Sequence, residues 1–272
     1  VDVALGREGK IYVLNHSAEY EPVGVRITVC TMDEQEFLGQ IGRFGRGEGE
    51  FVWPSGIALD SQGNIYVSDN YLHRISVFDK DGKFLDHWGS EGSGDGDLNM
   101  PSGLCFDKEG NLYVVDSANN RVEVFTKEGK LLSKWGKKGS GDGEFNLPWG
   151  ITIDHSGDVW VVDWRNDRVQ KFTADGTFLA TFGTSGNGIG QFNRPTDVAV
   201  DKDGDFYVTD WANDRVQVFT AEGLFITALT GDAGLSKWGA AQMDSNPDMV
   251  KQRALVRDLS QEKRFWRPNA VE

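Results

Sequence analysis

Pro54, Pro101, Pro148 and Pro195 follow one another at intervals of 47 residues, and each opens the same order of events. Self-similarity at a fixed period restricts a chain to repeat architectures, whose units bury their apolar faces only against neighbouring copies. The stretch from Pro101 reads Pro-Ser-Gly-Leu-Cys-Phe-Asp, Lys-Glu-Gly-Asn, Leu-Tyr-Val-Val-Asp, Ser-Ala-Asn-Asn-Arg, Val-Glu-Val-Phe, Thr-Lys-Glu-Gly-Lys and Leu-Leu-Ser-Lys-Trp-Gly. Four apolar-rich segments of strand length alternate there with turn signals. Gly63, Gly110, Gly157 and Gly204 supply the positive φ of a tight hairpin between the first two strands. Gly82, Gly129, Gly176 and Gly223 do the same between the third and fourth. Segments such as Gly-Asn-Ile-Tyr-Val alternate with period two, as half-buried strands do. With no crossover helix in the unit, the sheets are antiparallel and up-and-down, and such sheets close into a β-propeller.

The spacing places blades near 1–42, 54–89, 101–136, 148–183 and 195–230 of a single domain, 1–272. Val1-Asp2-Val3-Ala4-Leu5 aligns with Thr196-Asp197-Val198-Ala199-Val200, so Val1 already lies inside a blade. The next proline is due near position 242 and arrives at Pro268. The surplus predicts a short helical insertion over 233–264, for which Asn246-Pro247-Asp248 is a good start: a cap, a proline at the first position and an acid in the first turn. A sixth blade then opens at 268–272. One inner strand is no blade, so the expectation is that the chain continues beyond Glu272, the alternative being strands lent by another copy. The expected fold is all-β: a six-bladed β-propeller of four-stranded antiparallel blades with a helical insertion before the last.

Two linked motifs extend the pattern. The first is Gly-x-Gly-x-(Phe or Leu)-x-x-Pro-x-(Gly or Asp), as in Gly141-Asp142-Gly143-Glu144-Phe145-Asn146-Leu147-Pro148-Trp149-Gly150. The second runs from Asp154-His155-Ser156-Gly157-Asp158-Val159-Trp160-Val161-Val162-Asp163 into Asn166-Asp167-Arg168-Val169-Gln170-Lys171-Phe172. Together they resemble the NHL repeat. That resemblance implies a six-bladed ring serving as an interaction domain for protein or RNA. It also implies kinship in architecture with a peptide-amidating lyase and sugar lactonases that use a metal near the central channel. The chain departs from the lyase pattern in having no histidines at equivalent blade positions.

Composition narrows the partners. A formal net charge of −14 repels phosphate backbones, which disfavours nucleic acid. The 39% hydrophobic and 26% charged residues are those of a soluble globular chain. No apolar run has the length of a membrane helix; the first residues do not read as a signal sequence, and because Val1 lies inside a blade the sequence does not specify a compartment. Cys30 and Cys105 fall in strands of different blades and read as unpaired buried thiols.

Recurrence separates bracing from recognition. Asp116/Asn119/Arg121, Asp163/Asn166/Arg168 and Asp210/Asn213/Arg215, with Asp69/Arg74 in part, repeat too faithfully for a ligand site; they read as a brace across the turn between second and third strands. Positions that differ among copies carry the information. Loops after the second strand and those leading into each blade share one face, and there the chain offers Asn15, His16, Tyr71, Trp164, Arg165 and Trp211 beside Trp53, Trp149, Arg194, Trp266, Arg267 and Asn269. Tryptophan and arginine are enriched at binding hot spots, and aromatic faces also suit sugar rings. Trp88, Trp135 and Trp160 lie within strand patterns and read as packing.

Four histidines, scattered over different blade positions, disfavour a three-histidine metal site. Calcium, held by acids and carbonyls, is the metal to consider at the central channel, and no cofactor is otherwise called for. The insertion's Lys251, Arg253, Arg257, Lys263 and Arg264, with Arg267, read either as a helix docked on the acidic ring or as a lid over the candidate face, and leave RNA as the least favoured partner. The expectation is therefore a non-catalytic binding or scaffold module recognising a peptide, protein or carbohydrate through Trp53, Trp149, Trp164, Arg165, Arg194, Trp211, Trp266 and Arg267. The alternative is a metal-assisted lyase or hydrolase at the channel.

Overall fold

The second strand ends in aspartate in blades 2 to 5 and in Asn15 in blade 1, and is otherwise rich in valine, isoleucine and aromatic residues, which favours an extended chain. In the computed structural model these strands are Lys10–Asn15, Ile65–Asp69, Leu112–Asp116, Val159–Asp163 and Phe206–Asp210. The structure describes residues 2–16, 24–33, 36–231, 265 and 268–271. Each second strand lies between an inner strand and a third strand, with the fourth outermost, giving five four-stranded antiparallel sheets in sequence order.

The inner strands are Asp2–Leu5, Pro54–Leu59, Pro101–Phe106, Ile151–Ile153 and Pro195–Val200. They surround a channel cavity of about 270 Å³. The period-two pattern suggested strands with one wet face. Instead, all five residues of Ile65–Asp69, Leu112–Asp116 and Val159–Asp163 are buried, because each sheet has a neighbouring blade on either side. Water reaches the outer strands, such as Leu131–Trp135, whose middle three residues are exposed.

Four apolar cores lie between successive blades. The one between blades 3 and 4 joins Tyr113, Val115, Val122 and Val124 to Phe145, Ile151, Val159, Val161 and Phe172. Burying each large side chain contributes roughly 1.5–3 kcal/mol. Trp88, Trp135 and Trp160 belong to this packing: Trp160 is 2% exposed, and Trp135 lies 4.6 Å from Phe172, centroid to centroid. The turn glycine of the following blade sits against each outer-strand tryptophan. A Cβ on Gly129 would meet Trp88 at 2.5 Å, and one on Gly176 would meet Trp135 at 2.3 Å.

The expected six-bladed ring with a helical insertion is corrected to five blades. Among the described residues there are five four-stranded sheets, three two-stranded ones and no α-helix, only short 3₁₀ turns. The stretch 233–264, where the insertion was expected, lies outside the described residues apart from the limits above. Pro268–Val271 supplies one segment against blade 5, where Thr196 Oγ1 donates to the Pro268 carbonyl (3.1 Å) and the Val271 N–H donates to Asp197 Oδ2 (2.9 Å). No strand forms over 268–271, so among the described residues no sixth blade is present.

Inner strands meet in two ways. At Gly56 and Gly103 they touch: a Cβ there would come within 2.4 Å of the Ser102 carbonyl oxygen and 2.7 Å of the Trp149 carbonyl oxygen, respectively. The Gly103 N–H donates to that Trp149 carbonyl at 2.8 Å. In blades 1 and 5 aspartate stands at this position, and its carboxylate spans the gap; Asp2 Oδ2 accepts the Ile57 N–H at 2.8 Å. Because backbone cannot rotate away as a side chain can, Gly103→Ala is expected to cost about 1–3 kcal/mol. A chemical denaturation midpoint equal to that of the parent chain would contradict this account of the close approach.

Candidate functional site

Asp69, Asp116, Asp163 and Asp210, each 0% exposed, end the second strands and organise the turn that follows. Asp163 Oδ1 accepts the Asn146 N–H (2.7 Å), while its Oδ2 accepts from Asn166 Nδ2 (2.8 Å) and Arg168 Nε (2.9 Å). Arg168 Nη2 continues to the carbonyls of Gly141 (2.8 Å) and Glu144 (2.9 Å). The repeated Asp-x-x-Asn-x-Arg set is thus a brace that ties the turn to the glycine-rich loop ahead of the blade. Burial holds the Asp116 and Asp163 carboxyls above the ordinary aspartate range despite the arginines beside them.

The brace supports a second device. His73, Asn120, Asp167 and Asp214 follow the turn in left-handed conformation, with φ between 52° and 55°. Three of them reach across to the next blade: His73 Nδ1 accepts the Met100 N–H (3.1 Å), Asn120 Oδ1 the Leu147 N–H (2.8 Å) and Asp167 Oδ1 the Arg194 N–H (2.7 Å). Met100, Leu147 and Arg194 are themselves left-handed, at φ 56°, 51° and 53°. This conformation is uncommon for residues other than glycine and persists where surrounding contacts determine it. The sequence signal was present, a short polar or imidazole side chain recurring at one repeat position, but it was absorbed into the turn.

On this frame blade 4 carries a tryptophan just after its entry proline. Trp149 stands where blades 2, 3 and 5 have Ser55, Ser102 and Thr196, and the inner strand of blade 4 begins later, at Ile151. Trp164 and Arg165 open the 3₁₀ turn Trp164–Asn166. The Trp149 and Trp164 rings lie 6.4 Å apart. Arg165 Cζ sits 5.2 Å from the Trp164 ring centroid, and Cζ of Arg194, whose backbone N–H donates to Asp167, sits 5.5 Å from it. Both tryptophans are half-buried and both arginines exposed. Four of the expected site residues therefore form one cluster.

The others are distributed. Trp211, half-buried, opens the corresponding turn of blade 5. Trp53, 37% exposed, pairs with His16 at 4.8 Å. Tyr71 accepts a hydrogen bond from Arg46 Nη2 at 3.0 Å and faces that guanidinium at 5.1 Å. Trp266 and Arg267 lie outside the described residues.

The channel offers little room for calcium chemistry. Asp2 and Asp197 line it, yet both carboxylates already accept backbone N–H groups. Burial pushes the Asp2 carboxyl up to about 6. Among the described residues no three histidine, cysteine or acidic side chains are gathered as a metal site. No helix of the described residues is long and apolar enough to cross a membrane.

The comparisons with known proteins agree with the fold. The NHL repeat model matches residues 51–78 and 192–219, and the SMP-30/Gluconolactonase/LRE-like region model matches 93–189. The B-box type zinc finger protein ncl-1 of Caenorhabditis elegans is 53% identical over 45 residues, 16% of this chain and 5% of that protein. Protein brain tumor of Drosophila melanogaster is 49% identical over 45 residues, 16% of this chain and 4% of that protein. The matched segment thus spans about one-twentieth of the length of these relatives. Among solved structures, the catalytically inactive virginiamycin B lyase of Staphylococcus aureus with quinupristin superposes with a TM-score of 0.59 at 16% identity, covering 84% of this chain and 68% of that one. A chain of a nidogen/laminin complex gives 0.61 at 22% identity, covering 84% and 78%. At such identities the likeness is one of fold. The chain is thus a β-propeller of four-stranded blades that carries NHL repeats over 51–78 and 192–219.

Proposed function

We propose that this chain is a non-catalytic binding module that takes up a protein, peptide or carbohydrate on the face bearing Trp149, Trp164 and Trp211, with Trp53, Arg165, Arg194, Trp266 and Arg267 as further contacts. One observation carries the reading. Beside the repeated braces, positions that vary from blade to blade gather two tryptophans and two arginines in one place. The fold likeness to a chain of a nidogen/laminin complex supports a protein partner. Substituting Trp149, Trp164 and Trp211 together by alanine is expected to weaken binding at least 100-fold, since hot-spot residues each cost 2 kcal/mol or more, about 30-fold. Titration calorimetry against a captured partner, with near-ultraviolet dichroism to show an intact fold, reads the result. Unchanged affinity would reject the assignment.

The second reading is a metal-assisted lyase or hydrolase at the channel. The SMP-30/Gluconolactonase/LRE-like match over 93–189 and the likeness to virginiamycin B lyase favour it. A rise in Tm with calcium or zinc, abolished by Asp197→Asn, would support this reading over the first.

A further inference from the structure

We infer that the Trp164 cluster is a receptor for a carboxylate, and that the partner presents it as an acidic residue beside an apolar one in an exposed peptide segment. This rests on the reading of that face as a binding surface and specifies its ligand chemistry.

The observation behind it is an imbalance of partners. The chain carries 42 acidic against 28 basic residues, so a guanidinium readily finds an acid or a carbonyl. Arg43 pairs with Glu50, and Arg121, Arg168 and Arg215 each pair with an aspartate and reach backbone carbonyls. Arg74 spans the carbonyls of Gly47 and Glu50, and Arg7 reaches that of Ser61. Arg165 and Arg194 differ: among the described residues neither guanidinium makes a hydrogen bond or ion pair, and both lie against the ring of Trp164.

Ring contact is informative about direction. A guanidinium within about 6 Å of an indole centroid is held by the ring's negative face. Its N–H groups, five per arginine, lie in the guanidinium plane and form a fork matched to a carboxylate. Two such forks around one indole, neither engaged among the described residues, leave a site short of an acceptor. Trp149, half-buried 6.4 Å from Trp164, supplies an apolar surface alongside and sets the requirement for a neighbouring apolar side chain.

A nucleic-acid strand fits these observations less well. It brings a charge at every nucleotide and is held by rows of cations along a groove. Here two cations stand together on a body of net charge −14. A peptide that places a single carboxylate between the two forks avoids most of that repulsion.

The test uses the full chain and three fluorescein-labelled probes followed by anisotropy: an octapeptide with a central glutamate–phenylalanine pair, the same peptide with glutamine for glutamate, and a uridine decamer. The expected result is that the glutamate peptide binds at least tenfold more tightly than its glutamine counterpart. Arg165→Ala and Arg194→Ala should each remove most of that preference, and Arg165→Lys should restore it only in part, because lysine keeps the charge and loses the fork. Equal binding of both peptides, abolished by Trp164→Ala, overturns the carboxylate assignment while leaving the face as a binding surface. Binding of the decamer in preference to either peptide, steeply weakened by salt, overturns it in favour of phosphate. No binding of any probe, with none gained or lost in any variant, overturns the assignment together with the peptide-binding reading beneath it.

Discussion

Replacing Asp116 with alanine is expected to lower the unfolding free energy by about 3–5 kcal/mol, the cost of removing one partner from a buried ion pair. Three donors converge on this carboxylate: the Asn99 N–H at 2.6 Å, Asn119 Nδ2 at 2.8 Å and Arg121 Nε at 2.8 Å. Arg121, with its side chain 9% exposed, cannot turn to water without abandoning the carbonyls of Ser93, Gly94 and Asp97. The whole loop ahead of blade 3 therefore loses its anchor at once. Asp116→Asn keeps the acceptor oxygen and shape, so its loss should be smaller. Denaturant unfolding of the two variants checks both statements; a cost below 1 kcal/mol for the alanine variant would show that the brace is dispensable.

The second large effect depends on pH. Gln170 and Gln217 occupy one repeat position in blades 4 and 5, and each amide nitrogen donates to a backbone carbonyl and toward the second-strand aspartate. Blade 3 has Glu123 there. Its Oε1 faces Arg121 Nη2 at 3.2 Å and the Gly96 N–H, while Oε2 is buried without a partner. Burial pushes this carboxyl up to about 7, with Asp116 adding to the effect and Arg121 and Lys134 opposing it. A neutral Glu123 has an O–H that can donate as the glutamine amides do.

In the unfolded chain the group ionises near its ordinary 4.5. Between about 4.5 and 7 the folded protein holds the extra proton, so stability falls as pH rises through that window and levels off above it. Glu123→Gln should abolish this slope and be more stable than the parent by about 3 kcal/mol at pH 8, at 1.36 kcal/mol per unit. Near pH 4 the two should converge. Parallel stability curves for parent and variant from pH 4 to 8 would exclude a buried proton at this site.

The repeat was legible because each of its marks answers a local demand. Gly63, Gly110, Gly157 and Gly204 adopt φ between 86° and 91°, the conformation their hairpins require. The brace was legible because its recurrence in blades 3, 4 and 5, and in part in blade 2, argues against a site. Blade number was not, because Pro268 begins like its four predecessors and nothing nearby in the sequence reports whether three more strands follow. Contacts between blades were hidden for a related reason. Gly103 against Trp149, Asp2 against Ile57 and Asp167 against Arg194 join residues 46, 55 and 27 positions apart, and no local pattern encodes such distances. Of the site, Trp149, Trp164, Arg165 and Arg194 were found as individuals. That two of them are arginines sharing one indole follows only from the left-handed turn that aims Arg194 back at blade 4.

The pairing of a tryptophan on one blade with a turn glycine on the next has a corollary for how such chains change length. Trp88 meets Gly129 and Trp135 meets Gly176 through the same geometry, so the seams are interchangeable connectors. Excising 101–147 would bring Trp88 to Gly176 across a junction of familiar shape. Loss of that copy thus leaves the surviving tryptophan with a glycine mate of the same kind.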